Sequence, residues 1–214
     1  MDIRIPKEIL VKITDVSQER NIYVHPNGVA RDIFWQRLEK IDRFLQRYAD
    51  PDDRALDFGG GSGAFCVALS RFFSSTDILD LDCSDAKKII DYFGISNVNL
   101  ITGDICKIKM ANLYDVIIAA DVLEHFNDLN VPLKFFNENL SKKGLLFISV
   151  PTENWLYILG RLIVSKKKPV DHYHSSKAVI DFLRLNGFQI IRRKYVPRYL
   201  FPIPLFDIVV LKYL

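Results

Sequence analysis

A chain of 214 residues, 49% hydrophobic and 26% charged, has enough apolar material for one α/β core without disulfides or structural metal. Its 29 basic and 26 acidic residues leave a net charge of +3, too small an excess to argue for nucleic acid. Three scattered cysteines (Cys66, Cys83 and Cys106) lack metal-ligand spacing, so no metal site is expected. No apolar run reaches the roughly 18 residues of a spanning helix. The opening MDIRIPKEIL has an early acid and a proline where a leader needs an apolar run, so a cytoplasmic protein with reduced thiols is expected.

Residues 1–27 show no clear period. From Val29 to Tyr48, apolar residues recur at intervals of three and four, which predicts an amphipathic helix starting near Asn27-Gly28. Pro51 and its acidic neighbours end it. Strand-like and helix-like runs then alternate. Arg54–Phe58 reads as a strand, followed by a glycine turn and a helix over Gly63–Phe73. Asp77–Asp82 is a second strand and Asp85–Phe93 a helix. Strands are predicted at Val98–Thr102 and Asp115–Ala120, a helix at Val131–Leu140, and a strand at Gly144–Val150. An apolar insertion, Trp155–Val164, is interrupted by Arg161 and followed by Lys166, Lys167 and Lys168. A helix at Ser176–Leu185 and strands at Gln189–Val196 and Phe206–Tyr213 complete the chain. Such alternation implies right-handed crossovers and a doubly wound, mostly parallel sheet. The last two strands have no helix between them and should pair antiparallel at one edge.

In open sheets of this kind ligands sit outside the carboxyl ends of the strands, and the informative residues fall there. ALDFGGGSGAF, Ala55 to Phe65, runs a strand into Gly59, Gly60, Gly61 and Gly63 before a helix. Clustered glycines let the backbone turn sharply and approach a ligand. Gly59, Gly61 and Ala64 also fit the dinucleotide pattern G-x-G-x-x-G/A. Asp57 separates the readings: a carboxylate at the strand end repels a pyrophosphate but balances a cationic ligand.

LDFGGGSG resembles the D-x-G-x-G-x-G motif of class I S-adenosylmethionine-dependent methyltransferases, with Asp57, Gly59, Gly61 and Gly63 matching and Gly60 at a variable position. DVLEH, Asp121 to His125, resembles the subgroup that includes ubiquinone-biosynthesis-type enzymes, and KKGLLFISVP resembles its fifth strand, although Lys143-Gly144 replaces a fuller K-P-G-G turn. The resemblance covers roughly Ala55 to Pro151 and continues faintly through His172 and Gly187-Phe188. It implies a Rossmann-like seven-stranded α/β sheet with an antiparallel edge hairpin and an N-terminal helical extension. It places that extension at residues 1–50 and the methyltransferase domain at 51–214, with 154–175 and 197–205 capping the substrate side.

The same resemblance implies S-adenosylmethionine as cofactor and S-adenosylhomocysteine as product. Asp57, Gly59, Gly60, Gly61 and Gly63 are its expected contacts at the first loop. An acid at the end of the second strand takes the ribose hydroxyls, since an ionised carboxylate offers two acceptor oxygens. Asp80 and Asp82 both qualify, and Asp82 is favoured because Asp82-Cys83-Ser84 resembles the family's D-x-S. Asp104 and Ile105 are expected at the adenine, and Ala120 and Asp121 beside the cofactor at the fourth strand end.

Candidates for a base are His125 past the fourth strand, and His172 and His174 in PVDHYHSSKAV. The insertion and the apolar segment Tyr199–Phe206 either pack together as a cap or serve an apolar acceptor, with the lysines meeting anionic head groups at a membrane surface. The expected activity is methylation of a small molecule, with a hydrophobic or lipid-like acceptor included. The alternatives are an RNA or protein methyltransferase, a non-catalytic subunit that keeps the cofactor site, and a nicotinamide oxidoreductase.

Overall fold

The computed structural model describes residues 3–13, 22–163, 172–197 and 203–214, with backbone alone at 160–163. The chain begins with α1 (Lys7–Ile13), a 3₁₀ turn (Ile22–Val24) and α2 (Gly28–Tyr48). It continues through β1 (Arg54–Phe58), α3 (Cys66–Phe72), β2 (Ser75–Asp80), α4 (Ser84–Phe93), β3 (Val98–Thr102) and β4 (Tyr114–Ala120). A second 3₁₀ turn (Leu123–His125), α5 (Asn130–Asn139), β5 (Leu140–Pro151), α6 (Trp155–Ile163), α7 (Ser176–Leu185), β6 (Phe188–Val196) and β7 (Phe206–Tyr213) follow.

The strands form one seven-stranded sheet in the order β3-β2-β1-β4-β5-β7-β6. β1 to β5 are parallel, and β7 runs antiparallel to both of its neighbours, β5 and β6. The Rossmann-like, mostly parallel sheet with an antiparallel hairpin is therefore the observed fold. The hairpin lies with β7 inside and β6 at the edge. FDIVVL in β7 is buried throughout, whereas the central residues of β6 are largely exposed. A run apolar at all but Asp207 needs cover on both faces, and the charged Arg192, Arg193 and Lys194 suit an edge.

Side chains alternate across the strands, so each strand feeds two cores. Val116 and Ile118 of β4 face one core, shared with α1, α2, α3 and α4. Ile117 and Ala119 face the other, built with Leu133 and Phe136 of α5 and Val179 and Leu183 of α7. The N-terminal segment belongs to the first core: Leu10, Trp35, Leu38 and Ile41 are buried in one cluster with Phe65 and Ile78. α2 begins where Asn27 Oδ1 accepts from Ala30 N at 3.1 Å, satisfying a helix-start donor.

Among the boundaries that differ from expectation, those of α3 and β2 bear on the site. α3 starts at Cys66, three residues late, because Gly63 has φ of 67°, which an α-helix excludes. A Cβ on Gly63 would lie 2.6 Å from Ala86 Cα in α4, so the glycine also permits close helix approach. β2 runs Ser75–Asp80, two residues earlier than expected at both ends. Asp80, not Asp82, is thus its last residue. No helix among the described residues is long and apolar enough to cross a membrane.

Candidate cofactor and acceptor site

The strand order reverses between β1 and β4, where an open sheet leaves a crevice. A cavity of about 340 Å³ opens there, lined by Asp57, Gly59, Gly60 and Phe65 from the β1–α3 region, Asp80 of β2, and Ala120 and Asp121 at the end of β4. Its remaining wall comes from the N-terminal segment, through Tyr23, Phe34 and Arg37. Gly59 turns the chain with φ of 79° while its N–H donates to Leu79 O at 2.8 Å. A Cβ on Gly60 would fall 2.2 Å from Asp57 Oδ2, so only glycine leaves that carboxylate facing the loop. Burial pushes the Asp57 carboxyl up to about 7, with the Asp80 charge adding to the rise and Arg37 opposing it.

The β2 terminus sorts the two acids that sequence left open. Asp80 Oδ2 accepts from Gly61 N at 2.8 Å and lines the cavity. Asp82 points away: its Oδ1 accepts from Ser84 N at 2.8 Å at the start of α4. That capping bond holds its carboxyl below the usual range. Cys83, which precedes α4, is buried with its Sγ 3.7 Å from Ile101 O. Asp82 and Cys83 do not line the cavity, and neither do Asp104 and Ile105. Asp104 accepts from Cys106 N at 2.9 Å as a turn-former, and Ile105 packs on the second core.

Opposite the glycine loop, α2 delivers one buried cation. Arg37 Nη1 lies 2.5 Å from Asp121 Oδ2, and Nη2 donates to Tyr23 Oη at 2.7 Å. Nε is buried with no hydrogen-bond partner. Burial opposes the charge, but Asp121 and Tyr23 outweigh it, and the guanidinium titrates above its usual range. Asp121 is itself in the left-handed region, with φ of 56°. It is held by its N–H to Ser149 O at 2.8 Å and by Ser149 Oγ donating to its Oδ1 at 3.2 Å. The cavity therefore presents several carboxylates and one guanidinium. That donor set suits a ligand carrying separate positive centres, a carboxylate and hydroxyls.

A second cluster stands beside it, after β4 and β5. Glu124, His125 and His172 bring side-chain donor atoms within 4.8 Å of one another. The His125 and His172 rings meet edge to face at 4.7 Å. Glu124 Oε2 is buried without a hydrogen-bond partner. Burial, then the nearby Asp121 charge, pushes the Glu124 carboxyl well above the usual range. His172 Nδ1 lies 2.9 Å from Glu153 Oε1, and Tyr173 N donates to Glu124 O at 2.8 Å, clipping this segment onto the 3₁₀ turn. His174 is apart from the pair, its Nε2 3.3 Å from the Asn127 carbonyl.

Sequence reasoning missed Arg37, Tyr23, Glu124 and Glu153. Arg37 carried a signal: it sits four residues from both Ile33 and Ile41, on the apolar stripe of α2 where a charge needs a buried partner. Glu153 carried none, since its partner His172 is distant in the chain. The caps at 154–175 and 197–205 are described only in part. Lys166 to Lys168, with the rest of 164–171, and residues 198–202 lie outside the described residues. Asn154 Nδ2 donates to Pro204 O at 2.6 Å, and the Tyr157 and Phe206 rings meet edge to face at 5.6 Å, so the described ends of the two caps touch.

The sequence matches the family described as "Methyltransferase domain" over residues 31–193. It is 29% identical over 173 residues to (S)-coclaurine N-methyltransferase of Thalictrum flavum subsp. glaucum, covering 70% of this chain and 48% of that protein. It is 28% identical over 160 residues to ubiquinone biosynthesis O-methyltransferase of Bradyrhizobium diazoefficiens, covering 71% and 62%. The matched region thus spans less than two thirds of either relative. Among solved structures, magnesium protoporphyrin IX methyltransferase from Synechocystis PCC 6803, with bound S-adenosylhomocysteine, superposes with a TM-score of 0.70 at 19% identity, covering 91% of this chain and 92% of that one. N-methyltransferase NodS from Bradyrhizobium japonicum gives 0.69 at 15% identity, covering 100% and 99%. The chain belongs to the methyltransferase domain family and has the class I fold of S-adenosylmethionine-dependent methyltransferases.

Proposed function

We propose that this chain binds S-adenosylmethionine in the β1–β2–β4 cavity and catalyses methyl transfer to a small molecule, at nitrogen or oxygen. The observation that carries the reading is the cavity's donor set: Asp57, Asp80 and Asp121 around the glycine loop, with Arg37 as the single cation among the described residues of its lining. Asp80 takes the ribose hydroxyls in place of Asp82, because it closes β2 and faces the cavity. Arg37 receives the cofactor carboxylate, and Asp57 its positive end. Residues 1–50 act as a wall of the site as well as an extension of the domain. Gly61 and Gly63 shape the loop; Asp104 and Ile105 remain candidates for the adenine side.

Bound S-adenosylmethionine supplies the activated methyl group. The protein's part is to bind, align and exclude water, and to take a proton from acceptors that carry one. His125 and His172, clustered with Glu124 past the end of β4, are the bases proposed for that step. His174 is held by a backbone carbonyl and has an outer, structural role. The curated relatives' names, an N-methyltransferase and an O-methyltransferase, support a small-molecule acceptor over RNA or protein. Titration calorimetry with S-adenosylmethionine, S-adenosylhomocysteine and NADH tests the reading. Micromolar binding of the two sulfur compounds supports it; binding of NADH alone sinks it.

An apolar acceptor is the second reading. Trp155, Ile158 and Leu159 are exposed on one stripe of α6 while Tyr157 packs inward on Phe206. The lysine triplet follows in sequence, and such an amphipathic segment suits an anionic membrane surface. Flotation with anionic vesicles, compared between the wild type and Trp155→Ser/Ile158→Ser, tests it. Equal flotation of both proteins discards it.

A further inference from the structure

We infer that Glu153 is a positioning residue that sets the proton-accepting nitrogen of His172, so that the acceptor's proton leaves through His172 Nε2. This rests on the methyltransferase reading above and adds a residue to it.

Glu153 follows β5 with φ of 51°, in the left-handed region that a non-glycine residue enters at a cost. Among the described residues only Asp121 shares that conformation without being glycine, and Asp121 holds Arg37 in the cofactor cavity. Backbone strain of this kind persists where surrounding contacts over-determine it, and it clusters at sites that do chemistry. Here the contacts are visible. Glu153 Oε1 is 2.9 Å from His172 Nδ1, and both side chains are largely buried, at 13% and 8% exposure. Next to them, Thr152 N donates to Leu205 O at 2.9 Å, and Tyr173 N donates to Glu124 O at 2.8 Å. The two ends of the hydrogen bond are therefore anchored separately.

An ionised carboxylate only accepts, so His172 must donate from Nδ1. Its lone pair is then on Nε2, in a ring 4.7 Å from that of His125. The proton step balances with these groups. The N–H or O–H bond of the acceptor breaks, and its electron pair stays on the heteroatom that takes the methyl group. A new N–H bond forms at His172 Nε2, and the resulting imidazolium is balanced by the Glu153 carboxylate.

The test is the His172 tautomer, read on the isotopically labelled full chain by NMR correlation of ring nitrogens to carbon-bound ring protons. His172 signals are those that vanish in His172→Gln. The wild type should show a protonated Nδ1 and an unprotonated Nε2. Glu153→Ala should shift His172 toward Nε2–H, and Glu153→Asp should restore the wild-type pattern. A wild-type Nε2–H tautomer overturns the inference, and so does a pattern unchanged by Glu153→Ala. The wild-type spectrum decides even where Glu153→Ala does not fold. Calorimetry with S-adenosylhomocysteine runs alongside: Glu153→Ala should bind as the wild type does. Failure of the wild type to bind would instead sink the methyltransferase reading. On any phenol or secondary amine that is methylated, Glu153→Ala should lower kcat about a hundredfold, with KM held within about threefold. Undiminished kcat overturns the inference.

Discussion

Arg37 Nη1 of α2 lies 2.5 Å from Asp121 Oδ2 at the end of β4, joining the N-terminal segment to the carboxyl edge of the sheet. Arg37 is buried and Asp121 largely so, and Tyr23 and Ser149 each add a hydrogen bond to the pair. It closes the cavity opposite the glycine loop, so one ion pair serves both packing and the site.

Removing one member of that pair leaves an uncompensated buried charge. Arg37→Ala should destabilise the fold by about 3 kcal/mol, and cofactor binding should weaken at least about tenfold. Chemical denaturation and calorimetry on the same preparation measure the two effects. A stable variant that binds normally would show that Arg37 is neither partner to Asp121 nor a cofactor ligand.

The β2 register makes a sharp comparison. Asp80→Ala should weaken S-adenosylhomocysteine binding on the order of tenfold to a hundredfold, the scale of losing hydrogen bonds to a charged acceptor. Asp82→Ala should leave it within about threefold, since a capping change acts on helix stability. The reverse order of effects in calorimetry would return the ribose to Asp82.

Asp57 gives the site a pH dependence. Burial pushes its carboxyl up to about 7 in the fold, well above the usual carboxylate range, so around pH 5 to 6 the folded chain holds a proton that the unfolded chain releases. Stability from this group is therefore greatest at low pH and declines as pH rises from about 4 to about 7. A cationic ligand favours the ionised form, so its affinity should rise with pH up to about 7 and its binding should release a proton. Calorimetry near pH 6.5 in buffers of different ionisation enthalpy reads that proton. Asp57→Asn should abolish the release.

Two glycines with similar φ separate strain from crowding. Gly63 (φ 67°) has Ala86 Cα 2.6 Å from where a Cβ would sit, whereas Gly94 (φ 63°) has nothing within 4 Å. Gly94→Ala should cost about 1 kcal/mol, the penalty of the left-handed conformation alone. Gly63→Ala should cost about 2 to 3 kcal/mol more, because α3 and α4 must separate. Urea unfolding of both variants checks the ordering, and equal losses would mean that the Gly63 contact is slack.

Much of the fold was legible because its signals are local. Val98–Thr102, Ser176–Leu185 and Phe206–Tyr213 stand where periodicity placed them, and the antiparallel pairing of the last two strands followed from the absence of a helix between them. Boundaries slipped where turn chemistry overrode apolar pattern. Asp77–Asp82 looked continuous, but Asp80 Oδ1 accepts from Asp82 N at 3.2 Å and the strand stops there. That slip of two residues moved the favoured carboxylate out of the cavity.

The sequence by itself determined the sheet class, the glycine loop with Asp57, and the DVLEH segment, because each is a pattern of neighbours in the chain. Only the tertiary structure decided that Asp80 faces the cavity, that Arg37 meets Asp121, and that Glu153 meets His172. The reason is physical. A buried charge is tolerated only beside its partner, and which partner it finds depends on how α2, β4 and the segment before α7 pack against one sheet edge.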